Sequence, residues 1–225
     1  MPLLDHFHPP VSSRKEYPGT LATWASLITM RLNLEVLPAE FTAQPRTKCQ
    51  FVCEYLEEPQ VYAPPAPPLT EEVTIAESDT FEVLIYRDEN RWRLAAAIEL
   101  VSPANKDRPS HLRTFADKCL GYLSKGVSVV VVDVVTNRAA QTHAEIVSRG
   151  NLPASFAWQP ATGLSVVSYR TIQPKAGVTR LDVWPTELHL RAALPTVPLW
   201  LAADLCVPLD LEPPYHLACQ SLRLA

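Results

Sequence analysis

The chain has 225 residues, of which 47% are hydrophobic and 20% are charged, a balance typical of a globular protein with one folded core. Its net charge of −4 argues against a protein that coats nucleic acid, because such binding needs an excess of Lys and Arg. No apolar run approaches the roughly 18 residues that cross a bilayer, and the N-terminus MPLLDHFHPP lacks a signal-peptide pattern. We therefore expect a cytoplasmic protein without membrane contact.

The chain contains 22 prolines and only 6 glycines, which predicts stiff connections. We expect a single domain over residues 1–225: an irregular leader at 1–19, a helix and sheet core at 20–150, and further strands with a Pro-rich tail at 151–225. The first helix is predicted to begin at Thr20 as N-cap and to stop at Pro38. Its apolar face is predicted to contain Leu21, Trp24, Ala25, Ile28 and Leu32.

Residues 48–57, KCQFVCEYLE, alternate apolar and polar side chains and predict a half-buried strand. The prolines that follow, between residues 59 and 68, favour an extended polyproline-like connector.

The middle of the chain carries the strongest structural signals. FEVLIYR, the turn DEN and RWRLAAAIELV predict a β-hairpin. Pro109 suits the first turn of a helix that ends at Gly126, and VSVVVVDVV then predicts a strand covered on both faces. This order indicates an α/β sheet with a crossover helix.

Residues 136–150 are predicted to form a second helix, and residues 164–173 and 180–185 later strands. The tail from Leu194 onward is apolar and rich in proline, and we expect it to be irregular apart from a short terminal helix. The predicted fold class is therefore α/β, a mixed β-sheet flanked by helices with a Pro-rich irregular C-terminal extension.

Glu99 lies in an apolar run that breaks abruptly into a polar turn, in the stretch AAIELVSPANKDRP. Counting outward from the hairpin turn places residues 79–82 across from roughly residues 97–100. A second carboxylate, Glu82 or Asp79, is thus predicted to face Glu99, and a register slip of one residue decides which. Two carboxylates with a nearby Lys form the oxygen-rich site that Mg²⁺- or Mn²⁺-dependent phosphodiester cleavage requires.

Between residues 102 and 126 there are five Lys or Arg residues and two Asp residues, a local basic excess in an acidic protein. This patch is a candidate for contact with the phosphates of DNA or RNA, and it is equally typical of a solvated helix face. The candidates for phosphate contact or for shaping the turn are Ser102, Asn105, Arg113 and Tyr122. A homo-oligomer is compatible with the sequence.

The stretch AAIELVSPANKDRP and its continuation FADKCLGYLSKGVSVVVVDVV closely resemble a bacterial family named domain of unknown function four-zero-five-eight. Its hallmark is an EL-x-SP-x-NK run, a helix with a Lys and a Tyr, and a GV-led apolar strand that ends in Asp. The matching residues are Glu99, Leu100, Ser102, Pro103, Asn105, Lys106, Lys118, Tyr122, Gly126, Val127 and Asp133. MPLLDHFHPP, DVWP, LPTVPL and VPLDLE are also similar to the family, which has no established activity.

A more remote similarity is to the Uma-type endonucleases, which resemble the PD-(D/E)xK restriction-endonuclease-like superfamily. That resemblance implies a restriction-endonuclease-like sheet, with Glu99 and either Glu82 or Asp79 as ligands of Mg²⁺ or Mn²⁺. The chain departs from the superfamily pattern because no PD dipeptide precedes the hairpin and because Val101 stands where a Lys is expected. Lys106 or Lys118 is then the candidate for a relocated catalytic lysine beside Glu99.

Two hypotheses follow. The first is a Mg²⁺-dependent nuclease or phosphodiesterase, or a degenerate descendant of one. The second is a noncatalytic binding module that retains the fold, in which Ser102, Asn105 and Lys106 shape the turn between strand and helix.

Overall fold

A computed structural model describes residues 2–13, 17–48, 79–88, 92–175 and 178–224 of the chain. Helices occupy α1 (Tyr17–Arg31), α2 (Pro103–Lys106), α3 (Pro109–Ser124), α4 (Thr142–Arg149) and α5 (Glu212–Ser221). Strands occupy β1 (Phe41–Lys48), β2 (Thr80–Asp88), β3 (Trp92–Leu100), β4 (Ser128–Asp133), β5 (Ser165–Lys175), β6 (Val178–Glu187), β7 (Thr196–Trp200) and β8 (Cys206–Asp210). A π-helical turn, Leu32–Val36, continues α1, and a short 3-10 turn spans Ala154–Phe156.

Within the part of the chain that the structure describes, six strands form one sheet in the order β1-β2-β3-β4-β5-β6. Among these strands of the described ranges, β3 and β4 run parallel, with α3 as the crossover, and the other neighbours are antiparallel. The fold is thus a mixed α/β fold with a mostly antiparallel sheet flanked by helices, which confirms the predicted class at that level. No helix in the described part of the chain is long and apolar enough to cross a membrane.

The two faces of the sheet build two separate apolar clusters. On one face α1, α5 and the β7-β8 hairpin cover residues such as Phe81, Ile98 and Val130. On the other face α3 and α4 cover residues such as Val131 and Tyr169. Because β4 is buried along its whole length, the prediction that its valines are covered on both sides is confirmed.

The hairpin, crossover helix and buried strand lie where the sequence predicted them. Pro109 is the first residue of α3, and Gly126 follows the helix with a φ of 76°, a conformation that glycine adopts without steric cost. The predicted core face of α1 is confirmed, since Leu21, Trp24 and Ile28 are all buried.

Two helix boundaries differ from the prediction. Helix α1 begins at Tyr17, so Thr20 is a buried residue inside the helix and not its N-cap. Helix α4 begins at Thr142 rather than at residue 136. The predicted leader is irregular over residues 2–13, but it is part of the core: Leu3 is 1% exposed, and its backbone bonds Ala192 and Arg191.

The tail is not irregular, which corrects the prediction. Residues 196–210 form an antiparallel hairpin in which Pro198 lies directly opposite Pro208. Two residues without N–H groups can face each other at a non-hydrogen-bonded position of the ladder, so these prolines do not break the pairing. The hairpin is attached to the main sheet by a 2.7 Å hydrogen bond from the Ser168 hydroxyl to the Pro198 carbonyl.

The strand predicted over residues 48–57 lies outside the described residues except for Lys48, as does the proline-rich connector. Before these residues the structure shows β1 at Phe41–Lys48, a strand paired with β2.

Candidate functional site

Glu82 and Glu99 lie directly opposite each other on the antiparallel strands β2 and β3. A β-bulge decides this register. Tyr86 pairs with Leu94 while Ile85 pairs with Ala96, so Ala95 is an extra residue on β3. Without it Glu82 would fall opposite Ile98, because a bulge shifts all later pairs by one residue. Of the two predicted partners of Glu99, the structure therefore places Glu82 across from it.

Both carboxylates point away from the larger apolar cluster and towards α3. Their side chains are each 2% exposed. Their sequence neighbours Phe81, Val83 and Ile98 face the larger cluster, as the alternation of a strand requires. Two acids thus occupy positions on the α3 face that the strand pattern would normally give to apolar residues.

Lys118 and Tyr122, one helical turn apart on α3, contact the carboxylate pair. The Lys118 ammonium lies 2.7 Å from Oε2 of Glu99 and 3.4 Å from Oε2 of Glu82. The Tyr122 hydroxyl donates a hydrogen bond to the same Glu82 oxygen at 3.1 Å. Residues four apart share a helix face, so the crossover helix presents both groups to the strands together.

Arg46, on the neighbouring strand β1, also contacts Glu82. Its Nη1 lies 3.4 Å from Oε1 of Glu82. Its side chain is 69% exposed, so this ion pair is weak. Sequence reasoning missed this residue because β1 shows little alternation and contains Pro45. Only the pairing of Arg46 opposite Glu82 reveals the contact.

In the interior of this cluster one lysine faces two carboxylates, because Arg46 is largely exposed, and the pKa values reflect this. Burial raises the pKa of Glu99 to about 8; the nearby Lys118 opposes the shift, and the charge of Glu82 adds to it. Burial also acts on Glu82, but a hydrogen bond with Glu99, the charge of Lys118 and the Tyr122 hydroxyl bring its pKa below the usual value. The two pKa values therefore move in opposite directions, so that the site favours the protonated form of Glu99 and the charged form of Glu82.

The two groups on α3 respond to the same carboxylates. Burial disfavours the Lys118 ammonium, but the charges of Glu99 and Glu82 outweigh it and raise the Lys118 pKa. Burial and the two acids raise the pKa of Tyr122, so its hydroxyl remains a donor. Oε1 of Glu99 is buried without a hydrogen-bond partner among the described residues.

Asp79, the other predicted metal ligand, lies elsewhere. Its carboxylate accepts a 2.8 Å hydrogen bond from the Tyr17 hydroxyl of α1, on the opposite side of the sheet from α3. Its carbonyl accepts a 3.3 Å bond from the Asn105 amide. Asp79 thus joins α1 to the turn after β3.

Ser102 and Asn105 shape that turn. The Asn105 side-chain oxygen accepts hydrogen bonds from the backbone N–H of Ser102 at 2.8 Å and from its hydroxyl at 3.1 Å. Both residues are buried. Their hydrogen bonds stabilise the backbone between β3 and α2. This is the role that the hypothesis of a noncatalytic binding module gives to them.

Lys106 is separate from the cluster at Glu99. Its side chain is fully buried, and its ammonium lies 3.1 and 2.9 Å from the two carboxylate oxygens of Asp133. Asp133 also accepts hydrogen bonds from the backbone N–H of Val135 and the hydroxyl of Thr142. Of the two predicted lysines, only Lys118 contacts Glu99.

The predicted basic patch does not form one surface. Lys106 is buried and Lys118 is held by two carboxylates, whereas Arg108 and Arg113 are exposed. Lys125 lies after the far end of α3.

Glu82 and Glu99 have the hard oxygen donors that Mg²⁺ and Mn²⁺ prefer, and Oε1 of Glu99 is buried with no hydrogen-bond partner among the described residues. Among the described residues no group of three or more His, Cys, Asp or Glu side chains could hold a metal ion. Mg²⁺ is commonly bound by one or two carboxylates together with water and substrate phosphates, so the pair fits such an ion.

In comparisons with known proteins, no family model, no curated protein and no solved structure matches this chain.

Proposed function

We propose that the chain is a Mg²⁺- or Mn²⁺-dependent phosphodiesterase or nuclease with a restriction-endonuclease-like fold, related to the bacterial family four-zero-five-eight. The observation that supports this most is the meeting of Glu82, Glu99 and Lys118 on adjacent strands and the crossover helix. Two carboxylates and one lysine are the groups that this chemistry uses.

Glu82 and Glu99 would hold the ion, which would supply a Lewis acid for the phosphate and lower the pKa of a bound water. Lys118 is the group suited to contact the scissile phosphate, since its side chain is 32% exposed while the acids beneath it are buried. Tyr122 orients Glu82 through its hydrogen bond.

Lys118 also accounts for the presence of Val101 where the superfamily pattern has a lysine. Val101 is a fully buried residue of the apolar cluster under α3, so a lysine there would have no access to solvent. The ammonium is supplied instead by the helix that covers the strand, and it reaches Glu99 at 2.7 Å.

The second hypothesis, a noncatalytic binding module, has its own support. Ser102, Asn105 and Lys106, the residues after Glu99 in the EL-x-SP-x-NK run, are all buried in contacts with protein atoms. Their pattern is explained by the turn that they stabilise.

A nuclease assay separates the two hypotheses. The wild-type chain is incubated with single- and double-stranded DNA and RNA in Mg²⁺, in Mn²⁺ and in EDTA. We expect metal-dependent cleavage that Glu99→Gln and Lys118→Met each reduce by at least about 100-fold, the size expected for loss of a group that acts in the transition state.

Asp117→Asn is the matched control, because Asp117 is an exposed carboxylate of the same helix paired with Arg149, and it should cleave like wild type. Circular dichroism verifies that each variant is folded. Folded wild-type protein without metal-dependent cleavage, or cleavage unchanged in Glu99→Gln, would support the noncatalytic module.

A further inference from the structure

A second candidate site lies beyond the carboxyl end of β4. A cavity of about 560 Å³ opens there between the leader, the segment after β4, the segment before β5 and Leu190. Its volume is within the range of small-molecule sites, and crevices outside the carboxyl ends of strands bind ligands in many α/β sheets. Val131, the partner of Glu99 in the parallel ladder, lies inside β4, whereas the cavity residue Thr136 follows its end. The cavity is therefore distinct from the carboxylate pair.

The described residues that line the cavity include two charged side chains of opposite sign, Asp5 and Arg138. The two are not paired with each other. Asp5 contacts His8, and the exposed Arg138 donates a hydrogen bond to the carbonyl of Asn137 at 2.8 Å. The charged side chains of this lining thus supply one positive and one negative group, with no net charge.

Hydrogen bonds hold Asp5 in place and leave part of its capacity unused. Its Oδ1 accepts from the Thr136 hydroxyl at 2.6 Å and from the Phe7 N–H at 3.1 Å, and its Oδ2 lies 2.9 Å from Nδ1 of His8. Because a carboxylate offers about four acceptor positions, Oδ2 can accept one more donor. Burial alone would raise the pKa of Asp5, but these hydrogen bonds outweigh it and lower the pKa, which keeps the group charged.

Arg138 favours a carboxylate as its partner. A guanidinium presents several N–H donors in a planar fork, and a single carboxylate matches that fork through two parallel hydrogen bonds. A phosphate monoester carries about two negative charges. It fits this lining less well, because Arg138 would balance one of them and Asp5 would repel the other.

The cavity also has an apolar lining, which includes Val135, Leu164 and Leu190. Val135 and Leu164 are buried, whereas Leu190 is a large apolar side chain that is 39% exposed. An aliphatic group of a ligand would remove this surface from water, which is favourable.

We propose that this cavity binds a free amino acid with an aliphatic side chain: Arg138 contacts its carboxylate, Asp5 contacts its ammonium group, and Leu190 contacts its side chain. A zwitterion matches both charges of the lining, whereas a simple acid or a simple amine would leave one of them unmatched. The proposal does not depend on the chemistry at Glu82 and Glu99.

The test is isothermal titration calorimetry of the full chain at low salt with L-leucine, L-valine and two analogues. Isocaproate is leucine without the ammonium group, and isoamylamine is leucine without the carboxylate. We expect saturable binding of L-leucine or L-valine. Each analogue should bind at least about tenfold more weakly than L-leucine, the effect of one lost charge-assisted contact.

Two variants assign the charges. Arg138→Gln should weaken the binding of L-leucine about tenfold or more and leave isoamylamine unaffected. Asp5→Asn should abolish the preference for L-leucine over isocaproate; Asn keeps an oxygen that can accept from Thr136 and Phe7, and circular dichroism verifies the fold. Arg113→Gln, which removes an exposed positive charge of α3, is the matched control and should bind like wild type.

Glu99→Gln should also bind like wild type, so loss of the proposed metal site and loss of this site are distinguishable. Three results would overturn the proposal: no binding of L-leucine or L-valine up to about 10 mM, binding of isocaproate as tight as that of L-leucine by the wild-type chain, or an unchanged preference for L-leucine in Asp5→Asn.

Discussion

Two lysine–carboxylate clusters lie between the sheet and its helices on the same side, and they differ in charge balance. In one, Lys106 and Asp133 form a closed pair with side chains 0% and 1% exposed, and both oxygens of Asp133 accept hydrogen bonds. In the other, one lysine and the largely exposed Arg46 contact two buried carboxylates, and Oε1 of Glu99 has no hydrogen-bond partner among the described residues. The Lys106–Asp133 pair has the form of a structural contact, whereas the cluster at Glu99 leaves one carboxylate oxygen without a hydrogen bond.

Replacing Lys106 with Met should produce the largest effect on stability. The substitution leaves the buried Asp133 without its cation, and breaking a buried pair from one side costs about 3–5 kcal/mol. Urea unfolding monitored by circular dichroism measures this loss.

The exposed Arg113 of α3 provides the control, since Arg113→Met should change the free energy of unfolding by less than about 0.5 kcal/mol. The double variant Lys106→Met with Asp133→Asn should recover part of the loss, because it removes the unpaired charge. A loss below about 1 kcal/mol in Lys106→Met would mean that the pair is not the structural contact described above.

The cluster at Glu99 should reveal itself by a dependence of stability on pH. The pKa of Glu99 is raised from 4.5 to about 8 in the fold, so between these values the folded state holds a proton that the unfolded chain has lost. Stability from this group is complete below about pH 4.5 and is lost as pH rises through 8. We expect the metal-free protein to lose about 1 kcal/mol between pH 7 and pH 8 through this group.

Glu99→Gln isolates this contribution, since the variant cannot titrate and should lack the loss. Glu82, with its lowered pKa, contributes stability that is lost only as pH falls below about 4.5, outside this interval. His6 and His143 have lowered pKa values in the fold, and the remaining titration of their unfolded-state imidazoles near pH 7 is the same in wild type and variant. Parallel stability curves for wild type and variant from pH 7 to pH 8 would contradict the raised pKa.

Tyr122→Phe should have the smallest effect. It removes one half-buried hydrogen bond to Glu82, which is expected to cost about 1 kcal/mol or less. The Glu82 pKa should rise, because the hydroxyl favours its charged form. Carboxyl carbon chemical shifts measured against pH follow this change, and an unaltered Glu82 titration would show that the hydroxyl does not support the acid.

The sequence predicted the elements whose signals are local. The alternation of the hairpin, Pro109 at the start of α3, Gly126 after its end and the valine run of β4 each reflect the conformation of a short segment. β1 and the β7-β8 hairpin were missed because proline is unfavourable in strands generally. Only pairing with a neighbour shows that these particular prolines leave the ladders intact.

The sequence by itself determined that Glu99 lies at the end of an apolar strand beside a second acid and a crossover helix. The sequence left open whether Glu82 or Asp79 faces Glu99 and whether Lys106 or Lys118 contacts it. The tertiary structure decided both. The bulge at Ala95 moves Glu82 opposite Glu99, and the packing of α3 brings Lys118 to the pair while Lys106 goes to Asp133. The physical reason is that side-chain direction along a strand reverses with each residue, so one inserted residue, which no local pattern marks, selects which charges meet.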